Sequence, residues 1–241
     1  MPVPFILRGF IMAQHTTIYQ QAIYYDMVFK RDVSRDVDFL QQAYRLHAGG
    51  ELSAVLDVAC GPGYHARACA QRGLHGAGLD LRPEMIAYAR DQAESEGVEV
   101  EWVIGDMRDF QLSKLVDVAI CPYDGIDALV ENDDLVAHFR AVAANLTSRG
   151  LYVIENIHPR ACSYYHYGRH TYHGERDGVK VEITLGANEP EFDPITGIAE
   201  VAVQMIVRNG VEIANISDTA RERLYSPQEI RLLAEKSGAL E

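Results

Sequence analysis

The run Val55-Leu56-Asp57-Val58-Ala59-Cys60-Gly61-Pro62-Gly63 most constrains what this chain can fold into. It reads as a short buried strand that ends in a glycine turn. Tyr64 to Arg72 then reads as a helix stopped by Gly73. Similar pairs follow. Gly76 to Asp80 is a strand, Pro83 to Glu96 a helix with proline at its first position, and Val98 to Ile104 a strand. Val116 to Cys121 is the fourth strand, Asn132 to Leu146 an amphipathic helix that Asn132 could cap, and Leu151 to Glu155 the fifth strand. Strand–helix alternation of this kind implies right-handed crossovers and a mostly parallel sheet with helices on both faces.

The flanks differ in character. Ile18 to His47 reads as one helix ended by Gly49-Gly50. His158 to His173 is rich in tyrosine and histidine and reads as a loop, an aromatic lid, with Gly168 and Gly174 arguing against a helical metal site on His166, His170 and His173. Val179 to Leu185, Ile198 to Val207 and Val211 to Thr219 read as antiparallel strands joined at Asp193-Pro194 and Asn209-Gly210. Ser226-Pro227-Gln228-Glu229 is a capping box that opens a last helix. The expected organisation is one domain in three parts: a helical segment 1–50, an α/β core 51–158, and an antiparallel insertion with a terminal helix 159–241.

Composition narrows the partners. With 22 basic against 35 acidic residues the formal net charge is -13, so a fold-wide footprint for nucleic acid is not expected. Cys60, Cys69, Cys121 and Cys162 form no C-x-x-C pair and read as free thiols of a reducing cytosol, which predicts a cytoplasmic protein. The Met1 to Met12 segment is apolar but carries two prolines and Arg8, and does not read as a leader. No stretch approaches the ~18–20 apolar residues of a membrane span.

Chemistry is expected at three strand ends. Asp57, Asp80 and Asp106 close the first three strands, 23 residues (80 − 57) and 26 residues (106 − 80) apart. Ligands of open α/β sheets bind at this edge. The glycine turn admits a ligand close to the backbone. Asp80 can accept both hydroxyls of a ribose, Asp106 can accept from an adenine amino group, and the Met107 N–H can donate to a ring nitrogen. Two ligands fit such a site. Gly61-Pro62-Gly63-Tyr64-His65-Ala66 satisfies the G-x-G-x-x-A dinucleotide pattern, which would make a nicotinamide oxidoreductase. A carboxylate four residues before Gly61 would repel a pyrophosphate, however, and would attract the ammonium and sulfonium of S-adenosylmethionine. A non-catalytic adenosine-ligand binder is a third alternative.

Leu56-Asp57-Val58-Ala59-Cys60-Gly61-Pro62-Gly63, Gly78-Leu79-Asp80-Leu81-Arg82-Pro83-Glu84-Met85 and Gly105-Asp106-Met107-Arg108-Asp109-Phe110 resemble the motifs of class I S-adenosylmethionine-dependent methyltransferases. Tyr25-Asp26 matches too, and the likeness runs from about Tyr19 to Gly238. The sub-group most similar includes N,N-dimethyltransferases of amino sugars. The resemblance implies a Rossmann-like fold and transfer of a methyl group to the N or O of a small molecule. It also implies cofactor contacts from Tyr25, Asp57, Ala59, Gly61, Gly63, Asp80, Leu81, Met85, Gly105, Asp106, Met107, Cys121 and Tyr123. Ala128 stands where amino-sugar enzymes tend to carry a histidine, and Thr147-Ser148-Arg149-Gly150 replaces the usual proline-glycine pair.

Methyl transfer is an in-line displacement that needs alignment first and a base only where the acceptor carries a proton. Tyr25, Asp124 and His158 are the candidate catalytic groups; no metal is expected. Methyltransferases of this type follow the last helix with two further strands, which this sequence lacks. Either the chain is truncated, or the insertion strands cover the edge of the fifth strand; the insertion is also expected to form a lid or a homodimer surface.

Overall fold

The computed structural model describes residues 17–162 and 166–240. The leader reading of Met1 to Met12, and Tyr164 and Tyr165 of the lid, lie outside these residues.

Five parallel strands form the central sheet in the order β3-β2-β1-β4-β5. They are β1 (Ala54–Val58), β2 (His75–Asp80), β3 (Val100–Ile104), β4 (Val116–Cys121) and β5 (Leu146–Ile154). β1 is central, so every one of its residues is buried, Asp57 included. Val55 packs with Val37, Leu40 and Tyr44 of α2 (Ser34–Ala48) and Cys69 of α3 (Tyr64–Gln71). Leu56 and Val58 face the other way, onto Leu135, Phe139 and Val142 of α5 (Asn132–Asn145) and Leu233 of α6 (Pro227–Ser237). α4 (Pro83–Glu96) buries Met85, Ile86 and Ala89 beside β2 and β3. The order of strands reverses between β1 and β4, which opens a crevice at their carboxyl ends.

A second sheet is antiparallel, in the order β6-β7-β8-β9: β6 (His170–Arg176), β7 (Val179–Leu185), β8 (Ile198–Asn209) and β9 (Glu212–Arg223). Its buried face consists of Val181, Ile183, Val201, Val203 and Met205. α1 (Ala22–Phe29) lies on that face through Tyr24, Met27 and Phe29. At Gly174 of β6, a Cβ would stand 2.2 Å from the Met27 carbonyl oxygen, so only glycine permits this approach.

Several expectations are corrected. The helix foreseen over Ile18 to His47 is two, because Lys30 to Val33 breaks it: Arg31 Nε donates to the Phe29 carbonyl at 3.0 Å and the Ser34 N–H to Asp32 Oδ1 at 2.9 Å. Part of the supposed aromatic loop is the edge strand β6, whose mostly exposed residues show no apolar alternation. α5 is not capped by Asn132; Glu131 holds the cap position without a side-chain bond, and Asn132 Oδ1 accepts from Arg223 instead. β5 starts at Leu146 and carries a bulge, so that Leu146 pairs with Val116 and Leu151 with Val118. The antiparallel strands do not pair with β5; they make a sheet of their own. Cys60, Cys69 and Cys121 are buried free thiols as expected, while Cys162 is half-buried. Among the described residues no helix is long and apolar enough to cross a membrane.

Candidate active site

Register places the three acids in sequence across the sheet. Asp57 lies level with Gly78, two residues short of Asp80, and Asp80 lies level with Ile104, two residues short of Asp106. Each step advances ~6–7 Å along the strands and ~5 Å across them. A ligand touching all three lies diagonally over β1, β2 and β3.

Asp57 is 1% exposed, and its Oδ1 has no hydrogen-bond partner among the described residues. Its Oδ2 is 3.7 Å from His65 Nδ1, and the other ring nitrogen of His65 is 3.1 Å from Asp36 Oδ2. Burial disfavours the imidazolium, but Asp57 and Asp36 outweigh it and raise the His65 pKa above its ordinary value. Asp117, also buried, makes the contrast: its carboxylate is filled by the N–H groups of Ser53 and Ala54 at 2.9 and 3.1 Å and the Ser53 hydroxyl at 2.6 Å. On Asp57, by contrast, one buried carboxylate oxygen is left without a donor among the described residues, an acceptor open to a ligand.

Asp80 accepts the Gly61 N–H on one oxygen and the Arg82 N–H on the other, both at 2.8 Å. It thereby ties the glycine turn to β2. Burial raises its pKa in spite of both bonds. A Cβ at Gly61 would meet nothing within 4 Å, so the turn faces open space there. Gly63 differs: a Cβ would strike Trp102 at 2.4 Å, so this glycine is required by packing beneath the turn. Leu81 and Ile104 stand 59% and 54% exposed at the ends of β2 and β3, an apolar pair suited to the faces of a planar base.

Asp106 is engaged by Arg108, through the backbone N–H and Nε, both at 2.9 Å. The Arg108 guanidinium holds the Asp106 carboxyl below the usual range and also bridges to Asp134 at 2.8 Å. Gly105 donates its N–H to the Asp80 carbonyl at 3.0 Å. The Met107 carbonyl is 2.9 Å from His138 Nδ1, and His138 Nε2 is 2.6 Å from the Tyr152 hydroxyl. A carbonyl only accepts, so Nδ1 carries the proton and Nε2 accepts from Tyr152. Burial lowers the His138 pKa to about 4. The unfolded chain protonates this ring near ~6.5, so stability should fall as pH drops from ~6.5 toward 4, by roughly 3 kcal/mol in full. Urea midpoints between pH 7 and 4 should show that decline, and His138→Gln should flatten it.

The remaining expected residues divide. Tyr25 lies between Tyr19 and Phe29, ring centroids 5.8 and 4.6 Å away, and burial raises its pKa to about 12 against the pull of Arg31. Asp80 also acts on it electrostatically, which puts the phenol near the ribose-end acid. Tyr123 is stacked under the Arg31 guanidinium at 3.8 Å and lies 5.8 Å from the His65 ring. Asp124 accepts the Ile157 N–H, joining the loops after β4 and β5, and burial raises its pKa. His158 is exposed and its Nδ1 accepts the Arg160 N–H at 3.1 Å, capping the short turn Pro159–Ala161. Met85 and Cys121 are core residues, and Cys121 Sγ would stand 2.6 Å from a Cβ at Gly125. Ala59, Tyr123 and Asp124 hold left-handed backbone, with φ of 57°, 54° and 61°. Such strain in non-glycine residues costs of order 1–3 kcal/mol each and gathers at functional sites.

Sequence reasoning missed Asp36, His65, Arg31 and Asp127. Arg31 and Asp36 reach Tyr123 and His65 because the α1–α2 segment folds back onto this edge. His65, on the first turn after Gly63, was the one detectable signal.

Fold and strand order are those of the Rossmann-like class I methyltransferase fold. Residues 55–150 match the family described as a methyltransferase domain. The chain is 31% identical over 134 residues to the dTDP-3-amino-3,6-dideoxy-alpha-D-glucopyranose N,N-dimethyltransferase of Streptomyces fradiae, covering 54% of this chain and 51% of the relative. It is 36% identical over 72 residues to a ubiquinone biosynthesis O-methyltransferase of Xylella fastidiosa, covering 30% and 27%. The chain thus spans about half the length, or less, of the curated relatives it matches. Its backbone superposes on Streptomyces venezuelae DesVI with a TM-score of 0.75 at 21% identity, covering 93% of this chain and 91% of the other.

Proposed function

We propose that the protein transfers a methyl group from S-adenosylmethionine to nitrogen or oxygen of a small molecule, acting in the cytoplasm. The bare, buried Asp57 Oδ1 beside the glycine turn carries this reading: it repels a pyrophosphate and accepts from an ammonium. Gly61 admits the ligand, Asp80 takes the ribose hydroxyls, and Leu81 and Ile104 flank the base. Asp106 serves the adenine amino group by sharing its carboxylate between that group and Arg108. When bound, the cofactor supplies an activated methyl on a sulfonium. The protein's part is alignment: Tyr25 and Tyr123 wall the methyl end, and the strained loops after β1 and β4 hold that wall.

The relatives named as sugar N,N-dimethyltransferases support an amino sugar, carried on a nucleotide, as acceptor. The 12-residue edge strand β9 supports a homodimer formed through the antiparallel sheet. Incubation with S-adenosylmethionine and a panel of amines and phenols should release S-adenosylhomocysteine, detected by mass spectrometry. No release with any acceptor, beside a bound cofactor, would contradict catalysis and favour a silent binder.

A further inference from the structure

We propose that Asp127, on the turn after β4, is the catalytic proton acceptor for a cationic amine acceptor, with Asn156 and Glu222 completing its pocket. The inference rests on the methyltransferase reading and names the substrate class of that same site.

Asp127 belongs to the short turn Gly125–Ala128, directly past Tyr123 and Asp124 at the methyl end of the crevice. It is 5% exposed. Its Oδ1 accepts from Asn156 Nδ2 at 2.8 Å, and no described residue donates to its Oδ2. Asn156 points its Nδ2 at Asp127, and its Oδ1 is buried without a partner among the described residues. Two acceptors, one from the turn after β4 and one from the loop after β5, are therefore left without a donor on residues that touch each other. A ligand that satisfies both must bring at least two N–H or O–H bonds, and a primary ammonium brings three.

The walls fix the sign of the charge. β9 packs directly on this turn. Its end is fastened there by Arg223, whose Nη1 donates to the Val130 carbonyl at 3.1 Å and to Asn132 Oδ1 at 2.8 Å, and by the Tyr225 hydroxyl on the Leu129 carbonyl. The fastening brings Glu222 across the turn. The titratable groups acting with Asp127 are Asp124, Glu222, Cys121, Cys162, Tyr167 and Tyr225, and none of them is a cation. Arg223 is committed to Glu229 at 3.1 Å. Burial pushes the Asp127 carboxyl up to about 8 against the Asn156 bond, and Asp124 and Glu222 add to the rise. A bound ammonium returns it to the carboxylate form, as an opposite charge in contact does.

The step balances. The acceptor binds as R–NH3+ against the Asp127 carboxylate. One N–H proton passes to Oδ2, leaving R–NH2 and a neutral carboxyl. The freed lone pair attacks the methyl carbon, an N–C bond forms, and the C–S bond breaks with its pair passing to sulfur. The products are the N-methylammonium and the thioether, and Asp127 sheds its proton to solvent.

The test compares wild type, Asp127→Asn and Glu222→Gln on matched probes: primary and secondary amines on sugar-nucleotide, amino-acid and alkyl scaffolds, each with its hydroxyl counterpart. Wild type should methylate an amine and leave its hydroxyl counterpart alone. Asp127→Asn should lose 100-fold or more in kcat while binding S-adenosylmethionine within threefold of wild type, and the rise of rate with pH should move to that of the free amine. Glu222→Gln should raise KM for the amine about tenfold with less effect on kcat. Methylation of hydroxyls only, no amine turned over by a cofactor-bound enzyme, or an unchanged kcat and pH profile in Asp127→Asn would each overturn the proposal while leaving the cofactor site standing. Failure of wild type to bind S-adenosylmethionine would instead remove the reading beneath it.

Discussion

Asp26→Ala is expected to destabilise the protein by about 3–5 kcal/mol, since it removes a buried carboxylate that accepts two phenol hydrogen bonds, each bond to a charged group contributing roughly 1.5–3 kcal/mol. Asp26 is 3% exposed. It accepts the Tyr64 hydroxyl of α3 at 2.8 Å and the Tyr88 hydroxyl of α4 at 2.7 Å, and lies 3.6 Å from Arg176 Nη1 of β6. One carboxylate thus joins α1 to the parallel core and to the antiparallel sheet. Alanine leaves two phenols and a half-buried guanidinium, whose Nε already lacks a partner among the described residues, without this acceptor. The melting temperature should fall by roughly 6–20 °C. Hydrogen exchange in residues 22–29 should speed up, because this residue ties α1 to α3, α4 and β6. Asp26→Asn keeps one acceptor and should cost less. Equal melting of Asp26→Ala and wild type would show that α1 is docked by its apolar contacts alone.

Asp80→Ala is expected to weaken S-adenosylmethionine binding by about 1.5–3 kcal/mol, roughly 10- to 150-fold, the usual range for hydrogen bonds to a charged group. Two losses combine. The ribose hydroxyls lose their acceptor, and the Gly61 N–H, now held at 2.8 Å, is released so that the glycine turn can drift. The loss should appear in the dissociation constant from calorimetry, with Asp80→Asn intermediate. Unchanged affinity would refute the ribose assignment.

Much of the α/β core was legible because its signals are local. Pro83 opens α4 and Gly97 ends it with a φ of 69°, so both ends of that helix can be read from single residues. The capping box at Ser226 and Glu229 is formed in both directions. At the β8–β9 hairpin, Asn209 pairs with Glu212, and Gly210 alone takes a positive φ, 57°. What failed depends on partners distant in sequence. β6 is a strand because β7 pairs with it and because Gly174 lets α1 approach, not because its own residues alternate. The break between α1 and α2 was within reach, since Asp32 two residues before Ser34 is a local capping signal. The acids at the first three strand ends were found by periodicity, yet Arg108 on Asp106 was not anticipated. Asp127 escaped notice because it ends no strand. Its burial is created by β9, and Glu222 lies 95 residues away (222 − 127).

On the proposed function, the crevice takes a sulfonium nucleoside and not a dinucleotide. Isothermal titration of the whole chain with S-adenosylmethionine, and separately with NADH, tests it most directly. The bare Asp57 oxygen and the open face of Gly61 predict saturable one-to-one binding of S-adenosylmethionine and no measurable heat with NADH. Saturable binding of NADH with none of S-adenosylmethionine would contradict the account.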